Sequence, residues 1–371
     1  MAHFFLVKGE EEKEEKRREC LVICLSHALY DGVSLPALLR DLDKFYTNGS
    51  NGDIVPFSTV PSAPFSHYVA RAHAEPARSE ALAYWKTLLA GSSLSVLPGQ
   101  TTTAGGKGIF HSNPVPLPSS SPNGNGRFTV NGTIKEENND IPVATTATVL
   151  TAAWALVLAR RLRRPDVTFG SVTSGRTAEA VTVPVTTGGQ GQEGDETVVV
   201  SGPCYQLSPV RVPFGRDWTA TDLLAYVQRQ AAESSAHDFV GFTAVAEAVG
   251  WTGSSSSSWT HNINITNLGG DGNKPVFFDS VVHHQDWEDF DNMPFGGRRC
   301  AVDILNPHGD APWPLKVVSF VQEGRLHVGI VGSEQDAALV DDLLAQLTDA
   351  AQQLLARGEE LLLTEDIFAK E

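Results

Sequence analysis

The segment SHALYDG, residues 26–32, brings together residue types that could carry out proton transfer at a turn. His27 directly follows an apolar run, and the pair Asp31-Gly32 comes four residues later. A neutral imidazole can accept a proton near neutral pH, which suits His27 to general base catalysis. Glycine at position 32 would permit a turn that most residues resist. Because a single His-x-x-x-Asp-Gly pattern is a weak signal, its surroundings decide what it means.

The elements around this segment are predicted to be a strand, a tight turn and a helix, in that order. The runs HFFLV (3–7) and CLVICLS (20–26) are short and apolar, which predicts two neighbouring strands. The charged block between them has no apolar side to pack, which indicates a solvated loop. Apolar residues in VSLPALLRDLDKFY (33–46) recur at a helical period. His27 is therefore predicted at the exit of a strand, where a side chain can face a cleft.

The rest of the chain alternates between helical and strand patterns. Residues 101–126 are so rich in Gly, Pro, Ser and Thr that they predict a linker, and residues 178–196 predict a loop. Helices are predicted in 63–91, in two pieces divided near Pro76, and in 144–165, 218–238, 241–250 and 333–358; strands are predicted in 126–134, 166–177, 200–214, 261–269 and 314–332. This alternation predicts an α+β fold with helices packed on mixed sheets.

Composition limits the kinds of partner and site. With 371 residues the chain is long enough for two domains, and its formal net charge of −16 argues against nucleic acid as a partner. No run is long and apolar enough to span a bilayer, so we predict a soluble protein of the cytoplasm with no membrane partner. The four cysteines lack metal-ligand spacing, and the strand pattern predicts Cys20 and Cys24 to be small buried residues.

Taken together, the motifs resemble those of the condensation domains of nonribosomal peptide synthetases, which share a fold with chloramphenicol acetyltransferase. The resemblance covers most of the chain from residue 3 to about residue 357, with the motifs in the family's order. They are SHALYDG (26–32), LPALLRDL (35–42), AYWKTLLAG (83–91), TAAWALVLAR (151–160), DVTFGSVTSGR (166–176) and GPCYQLSPVRV (202–212). Serine rather than histidine before His27 is similar to fungal members of the family.

The resemblance implies an α+β, two-lobed pseudo-dimer with a tunnel between the lobes. Residues 1–125 would form the remainder of the N-terminal lobe with the motif and the linker, and residues 126–371 the C-terminal lobe. The implied reaction forms an amide or an ester, in elongation or in terminal release or cyclisation. The acyl groups would arrive as thioesters on the 4′-phosphopantetheine of peptidyl or acyl carrier proteins, and the chain itself would bind no cofactor.

The resemblance also implies roles for individual residues. His27 matches the family's catalytic histidine, which accepts or orients the proton of the attacking amine or hydroxyl. Asp31 matches the family's structural aspartate; a buried carboxylate is costly without a partner, and we predict Arg176 as that partner. Gly32 would have a steric role, and its backbone amide could face the developing oxyanion. The residues predicted to line the tunnel are Ser26 and Ser174.

Three other groups of residues favour structural roles. His283 and His284 are adjacent on a predicted strand and would point to opposite faces, so we predict no bound metal there. The cluster RRLRR at 160–164 could dock an acidic carrier protein, but cations at the end of a helix are the simpler explanation. DFDNMPFGG, residues 289–297, is predicted to be a loop near the boundary between the lobes.

The start of the chain departs from the family pattern and leaves other functions open. Only 26 residues precede His27, so the first lobe is expected to be incomplete, and a missing N-terminal segment or adjacent synthetase modules would be further partners. A free-standing acyltransferase would instead accept soluble acyl-coenzyme A without a carrier protein. A non-catalytic remnant or recruitment module of the same fold would stay folded, and its His27→Ala variant would change no rate.

Overall fold

The structure, a computed structural model, divides the chain into two compact units. The described residues are 2–8, 19–49, 65–98, 108–117, 127–129, 143–176, 181–185, 194–198, 200, 202–251, 278–285, 294–300, 315–322, 324–356 and 360–369. The first unit comprises Met1–Arg71, Glu179–Tyr205 and Pro294–Arg299, and the second unit comprises Ala72–Ala178, Gln206–Met293 and Cys300–Glu371.

The helices and strands of the described residues alternate along the chain. In chain order they are β1 (Ala2–Lys8), β2 (Glu19–Leu25), α1 (Ser34–Gly49), α2 (Phe65–Ala72), α3 (Ala77–Leu88), β3 (Gly108–Val115), β4 (Arg127–Thr129), β5 (Val143–Thr145), α4 (Thr146–Leu162), β6 (Asp166–Thr173), β7 (Val181–Val185), β8 (Gly194–Val198), β9 (Gln206–Pro213), α5 (Ala220–Ser234), α6 (Phe242–Val249), β10 (Ser280–His284), β11 (Pro294–Phe295), β12 (Arg298–Arg299), β13 (Leu315–Gln322), β14 (Arg325–Ser333), α7 (Ala337–Ala356) and α8 (Glu365–Phe368).

The first unit confirms the predicted strand–turn–helix around SHALYDG. β1 and β2 pair as antiparallel neighbours, with Ala2 opposite Leu25 and Lys8 opposite Glu19. β2 ends directly before the motif and α1 begins at Ser34, directly after it. The alternating apolar run and the helical period therefore predicted these elements correctly, because both signals come from neighbouring residues.

The prediction that Cys20 and Cys24 are buried is wrong. Both cysteines are exposed, although they lie on β2 as expected. Among the described residues, β1 and β2 form a two-stranded sheet. Phe4 and Phe5, which point to opposite faces of β1, are 58% and 53% exposed, so no described layer covers β1 at these positions. An apolar strand pattern predicts burial only where another layer packs on the strand.

The second unit is built on a mixed six-stranded sheet with the order β3-β14-β13-β10-β6-β9. β10 pairs in parallel with β13 and β6, whereas the other pairs are antiparallel. Residues of α4, α5 and α7 form one continuous hydrophobic core with the sheet. Phe242 and Ala246 of α6 pack with Phe278 and Val281 in a second cluster. The predicted arrangement of helices on a mixed sheet is confirmed for this unit.

The most apolar helix, α4, is buried within this core. Trp154 is fully buried, and its indole nitrogen donates to the hydroxyl of Ser280 at 2.9 Å. The helix begins after Thr145, whose hydroxyl accepts from the backbone amide of Thr148, and ends at Arg163 in the left-handed conformation. Among the described residues, no helix combines the length and the apolar character needed to cross a membrane.

The predicted linker over 101–126 is wrong in part, because it contains a strand. Residues Gly108–Val115 form β3 at the edge of the six-stranded sheet, where Val115 is fully buried opposite Leu326. Pro114 is compatible with this position, since an edge strand has a neighbour on one side only. Because β3 belongs to the second unit, the division into compact units does not fall at residue 125. The assignment of 1–125 and 126–371 to two lobes stays a prediction.

The predicted loop over 178–196 also contains regular structure. Val181–Val185 (β7) pairs antiparallel with Gly194–Val198 (β8) in a two-stranded sheet of the first unit. Threonine and valine favour strands, and this tendency outweighs the surrounding glycines over these short runs. The charged block between the first two strands and the strand predicted at 261–269 lie outside the described residues.

The arginines of RRLRR bind residues of their own unit. Arg160 donates to the backbone oxygen of Leu362 at 2.9 Å, and Arg161 pairs with Asp342 at 2.5 Å. Arg163 pairs with Asp366. These contacts favour the structural explanation of the cluster over the docking of an acidic carrier protein.

A small hairpin of the first unit packs on α1 through a glycine. β11 and β12 form this hairpin, and β11 with the turn falls in the segment 289–297 that was predicted to be a loop. Gly296, at its turn, has φ +59°, and its amide donates to Asp43 Oδ1 at 2.6 Å. A Cβ at Gly296 would lie 2.8 Å from Cε1 of Tyr46. A side chain at position 296 would therefore collide with the Tyr46 ring unless that ring moved.

Gly296→Ala is expected to weaken the packing of the hairpin on α1. Gly297→Ala is the matched control, because Gly297 also has a positive φ, +73°, but a Cβ there would meet nothing within 4 Å. Both variants therefore have the strain of the left-handed conformation, but only Gly296→Ala also forces a methyl group against Tyr46. We expect Gly296→Ala to lower the free energy of unfolding by about 1–3 kcal/mol more than Gly297→Ala does in denaturant titrations. Equal losses would contradict the contact with Tyr46.

Candidate active site

A hydrogen-bonded turn presents His27 at the exit of β2. The amide of Leu29 donates to the backbone oxygen of Ser26 at 2.9 Å, and the amide of Ala28 lies 3.4 Å from the Ser26 hydroxyl. His27 occupies the second position of this turn and is exposed. The predicted placement of the histidine at a strand exit is thus what the structure shows.

Asp31 caps the N-terminus of α1. Its Oδ1 accepts from the amide of Ser34 at 2.9 Å, and the Ser34 hydroxyl accepts from the amide of Asp31 at 2.9 Å. The backbone oxygen of Asp31 accepts from the amide of Leu35 at 2.9 Å and begins the helical hydrogen bonds. This reciprocal pair is a capping box with aspartate as the cap and serine three residues later. It fixes the angle at which the turn carrying His27 enters the helix.

The same carboxylate also binds a distant segment of the chain. Oδ2 of Asp31 accepts from the amide of Cys204 at 2.9 Å, across 173 residues of sequence. The backbone oxygen of Cys204 accepts from the Tyr68 hydroxyl of α2 at 3.1 Å. Asp31 is only 2% exposed, and each of its oxygens accepts from a backbone amide; the Cys204 amide also lies 2.9 Å from the backbone oxygen of Gly202. The carboxylate therefore joins α1 to the segment that precedes β9.

Glycine is required at one end of this segment. Gly202 has φ +143°, and a Cβ there would lie 2.7 Å from Cδ2 of Phe65. The ring of Phe65 stacks on that of Tyr68 with the ring centres 5.7 Å apart. The segment can therefore approach α2 closely, which brings Cys204 within reach of Asp31 and Tyr68.

The imidazole of His27 contacts two tyrosine rings. Tyr30 stacks on its face, with ring centres 4.7 Å apart and an angle of 13° between the planes. Tyr205, the residue after Cys204, approaches with its centre 5.5 Å away and an angle of 67°. No described residue forms a hydrogen bond to either ring nitrogen of His27. Its nitrogens are therefore available to a reacting group while its ring plane is held by aromatic contacts.

The structure brings together some of the predicted site residues and assigns others to the second unit. Ser26, His27 and Asp31 share the turn and the cap in the first unit. Arg176 and Ser174 follow β6 in the second unit, where the amide of Arg176 donates to the Ser174 hydroxyl at 3.3 Å and its Nη1 donates to the Ser174 backbone oxygen at 3.3 Å. The pairing of Asp31 with Arg176 and the roles of the two serines stay predictions.

Sequence reasoning missed four residues of the site. Ser34 could have been found from the spacing Asp-x-x-Ser before an apolar helix, which is a variant of the capping-box signal. Tyr30 could have been noted because it shares the turn with His27. No local signal connects Cys204 and Tyr205 to the motif, because their contacts depend on how the chain folds back on itself.

The structure shows no close neighbour that would require glycine at position 32, and the steric role predicted for Gly32 stays a prediction. Gly32 is not among the glycines with positive φ, so its backbone conformation is open to other residues. A Cβ at this position would meet nothing within 4 Å. The turn between β2 and α1 is instead held by Asp31 and Ser34, whose hydrogen bonds do not require glycine between them.

Gly32→Ala is expected to leave folding unchanged. Because the added methyl group would occupy open space at the start of a helix, we expect the free energy of unfolding to stay within about 0.5 kcal/mol of the wild-type value. A denaturant titration measures this directly, with Gly202→Ala as the contrasting variant, since Gly202 combines a positive φ with a contact to Phe65. A large loss of stability in Gly32→Ala would contradict the open space at this position.

The two adjacent histidines of β10 take part in a network of hydrogen bonds. His284 Nε2 lies 3.0 Å from the Thr146 hydroxyl, and its Nδ1 lies 2.8 Å from the Ser319 hydroxyl. His284 thus connects β10, β13 and α4. Within the described ranges, no group of three or more His, Cys, Asp or Glu residues could hold a metal ion.

The first unit presents an exposed histidine between β2 and a capped helix, and the second unit packs helices on a mixed sheet. The sequence profile described as the Condensation domain matches residues 11–368. The chain belongs to the condensation-domain family.

The similar proteins include a nonribosomal peptide synthetase and a starter condensation domain of known structure. Nonribosomal peptide synthetase sidD of Aspergillus fumigatus is 47% identical over 350 residues, which cover 94% of this chain and 14% of the synthetase. The crystal structure of SeMet-CT is similar with a TM-score of 0.66 at 20% identity, over 98% of this chain and 68% of that one. The starter condensation domain of rhizomide synthetase RzmA has a TM-score of 0.54 at 15% identity, over 90% of this chain and 65% of that one. These structures confirm the predicted α+β, chloramphenicol acetyltransferase-like fold.

Proposed function

We propose that this chain catalyses condensation, in which an amine or hydroxyl attacks an acyl thioester held on a carrier protein. The observation that carries this proposal is the exposed imidazole of His27, which the turn after β2 presents while its nitrogens bind no described residue. Membership of the condensation-domain family supports the reaction class. The chain spans about 14% of the length of the Aspergillus fumigatus synthetase, so its donor, acceptor and carriers are part of the proposal.

His27 would act as the proton acceptor. As the amine attacks the thioester carbon, a C–N bond forms, the C–S bond breaks and the phosphopantetheine thiol leaves. The neutral imidazole takes the proton of the attacking amine and returns it to the leaving sulfur. General base catalysis of this kind contributes about 10²–10⁴-fold in rate. With a hydroxyl as the nucleophile, the same steps form an ester.

The N-terminus of α1 would stabilise the negative charge on the thioester oxygen. The amides of Gly32 and Val33 donate to no backbone or side-chain acceptor among the described residues. They directly precede α1, a 16-residue helix, at the end where free amides and the helix dipole favour negative charge. The open space at Gly32 would leave room for the substrate at these amides.

Other predicted site residues have supporting roles in this proposal. The hydrogen bonds of Asp31 support a structural role, since its two oxygens accept from two backbone amides and are thereby engaged. An ion pair from Asp31 to Arg176 would add to that role. Ser26 and Ser174 would lie along the path of the substrates.

The reacting groups would be carried by the substrates and not by a cofactor bound to this chain. In this proposal the acyl donor and the acceptor are tethered to 4′-phosphopantetheine on peptidyl or acyl carrier proteins, and the chain needs no cofactor of its own. The similarity to a multidomain synthetase favours carrier-bound donors over free acyl-coenzyme A. The cytoplasmic location stays a prediction.

A competition between donors tests this function. The purified chain is incubated with an acyl group on a phosphopantetheinylated carrier protein and an aminoacyl acceptor on a second carrier, and the product is measured by mass spectrometry. The same acyl group as its coenzyme A thioester serves as the matched donor. We expect product from the carrier-bound donor. Product from acyl-coenzyme A alone would favour the free-standing acyltransferase, and no product from either donor with a folded chain would favour the non-catalytic module.

A further inference from the structure

Two tyrosines contact the imidazole of His27 in different geometries. Tyr30 stacks on the face of the ring, with the ring centres 4.7 Å apart. Tyr205 approaches with the ring centres 5.5 Å apart and an angle of 67° between the ring planes. No described residue anchors a ring nitrogen by a hydrogen bond. The orientation of the imidazole thus depends on these two contacts.

The second tyrosine is held in place by the structural aspartate of the motif. Tyr205 directly follows Cys204, whose amide donates to Asp31 at 2.9 Å and whose backbone oxygen accepts from the Tyr68 hydroxyl at 3.1 Å. Both backbone groups of Cys204 are therefore held by hydrogen bonds. Asp31 is thus connected to His27 in two ways: along the turn, and through Cys204 to the ring of Tyr205.

Neither tyrosine has the burial expected of a core residue. Tyr205 is 41% exposed and Tyr30 is half-buried. Removing either ring would therefore open no cavity of the kind that destabilises a core. A role in packing alone does not explain why two partly exposed rings both contact the same exposed histidine.

We propose that Tyr30 and Tyr205 are positioning residues, which orient the imidazole of His27 for proton transfer. The inference rests on the proposed role of His27 as the base. Proton transfer depends steeply on geometry, and a displacement of about 1 Å can cost about 10²-fold in rate. Losing one of two restraints should displace the ring by less, so we expect kcat to fall about 10- to 100-fold for each tyrosine replaced by leucine.

The test compares leucine and phenylalanine at both positions. Tyr30→Leu and Tyr205→Leu remove the aromatic contact, whereas Tyr30→Phe and Tyr205→Phe keep the ring and remove only the hydroxyl. We expect the leucine variants to lower kcat with KM little changed, and the phenylalanine variants to retain the wild-type kcat. Loss of activity in the phenylalanine variants equal to that in the leucine variants would overturn the proposal, because the hydroxyl and not the ring would then matter.

A spectroscopic readout separates this inference from the proposed function. The carbon-bound protons of the His27 ring lie beside two aromatic rings, so their NMR shifts report the contacts without any substrate. We expect these signals to move in the leucine variants and to stay in place in the phenylalanine variants. Unchanged signals in the leucine variants would overturn the contacts. If the signals behave as expected but the wild-type chain makes no product, the proposed function fails and the positions of the rings stand.

Coupling to His27 provides a second test. In a His27→Ala background there is no imidazole to orient, so Tyr205→Leu should cause no further loss of rate. Tyr68→Phe removes the hydroxyl that binds the backbone oxygen of Cys204 and leaves both rings intact. We expect it to shift the His27 signals in the same direction as Tyr205→Leu, but less. A full additional loss of rate for Tyr205→Leu in the His27→Ala background would overturn the positioning role.

Discussion

Replacing His27 by alanine is expected to lower the rate of condensation by about 10²–10⁴-fold, which is the usual contribution of a general base. The physical reason is that the attacking amine would then lose its proton to water rather than to a group held beside it. His27 is exposed and forms no hydrogen bond through its ring with any described residue, so its removal should not affect folding. Single-turnover rates with a carrier-bound donor measure the effect.

The control for this variant is His73→Ala. His73 is also an exposed histidine, and it lies just after α2 rather than in the motif. We expect the control to keep the wild-type rate, and both variants to have the same unfolding midpoint as the wild type. A His27→Ala variant that retains the wild-type rate would contradict the proposed base and favour a non-catalytic role for this chain.

Replacing Asp31 by alanine is expected to have the largest effect on stability. The change would leave the amides of Ser34 and Cys204 without the carboxylate oxygens that they bind at 2.9 Å. Loss of the helix cap costs about 0.5–2 kcal/mol, and loss of the hydrogen bond from Cys204 to a charged group costs about 1.5–3 kcal/mol, so the combined loss should be about 2–5 kcal/mol. Asp31→Asn should lose less, because one oxygen still accepts while the amide group faces the other N–H.

The stability of the first unit can be measured locally by hydrogen exchange of the amides in α1. Asp41→Ala removes a carboxylate from the same helix, where no hydrogen bond of its side chain connects distant segments, and we expect a change within about 0.5 kcal/mol. Ser34→Ala removes the other half of the cap, and its loss of stability should lie between those of Asp31→Ala and Asp41→Ala. If Asp31→Ala left exchange in α1 unchanged, the connection through Cys204 would be contradicted.

The sequence was most informative where the signal comes from neighbouring residues. The alternating run before His27 and the helical period after it predicted β2 and α1, and the apolar content of 144–165 predicted the buried α4. The family resemblance, based on the order of several motifs, was confirmed by the profile match over residues 11–368. These features depend on the local chain or on the linear order of motifs, and both can be read from one sequence.

The sequence was misleading where the local composition of a segment did not match its surroundings in the folded chain. The strand Gly108–Val115 lies in a segment whose composition predicted a linker, because an edge strand needs only one neighbour and tolerates proline. Cys20 and Cys24 have a core-like pattern, yet both are exposed on a sheet of two strands. Whether an apolar residue is buried depends on which layer covers it, and a local pattern does not contain that information.

The sequence by itself determined the family, the strand–turn–helix at residues 20–49 and the placement of His27 at its turn. Only the tertiary structure decided what holds that histidine. Tyr205 contacts the imidazole because Asp31 binds the amide of Cys204 across 173 residues, and because Gly202 lets that segment approach α2. Contacts between such distant residues are set by the packing of the folded chain, since no local preference of either segment specifies its partner.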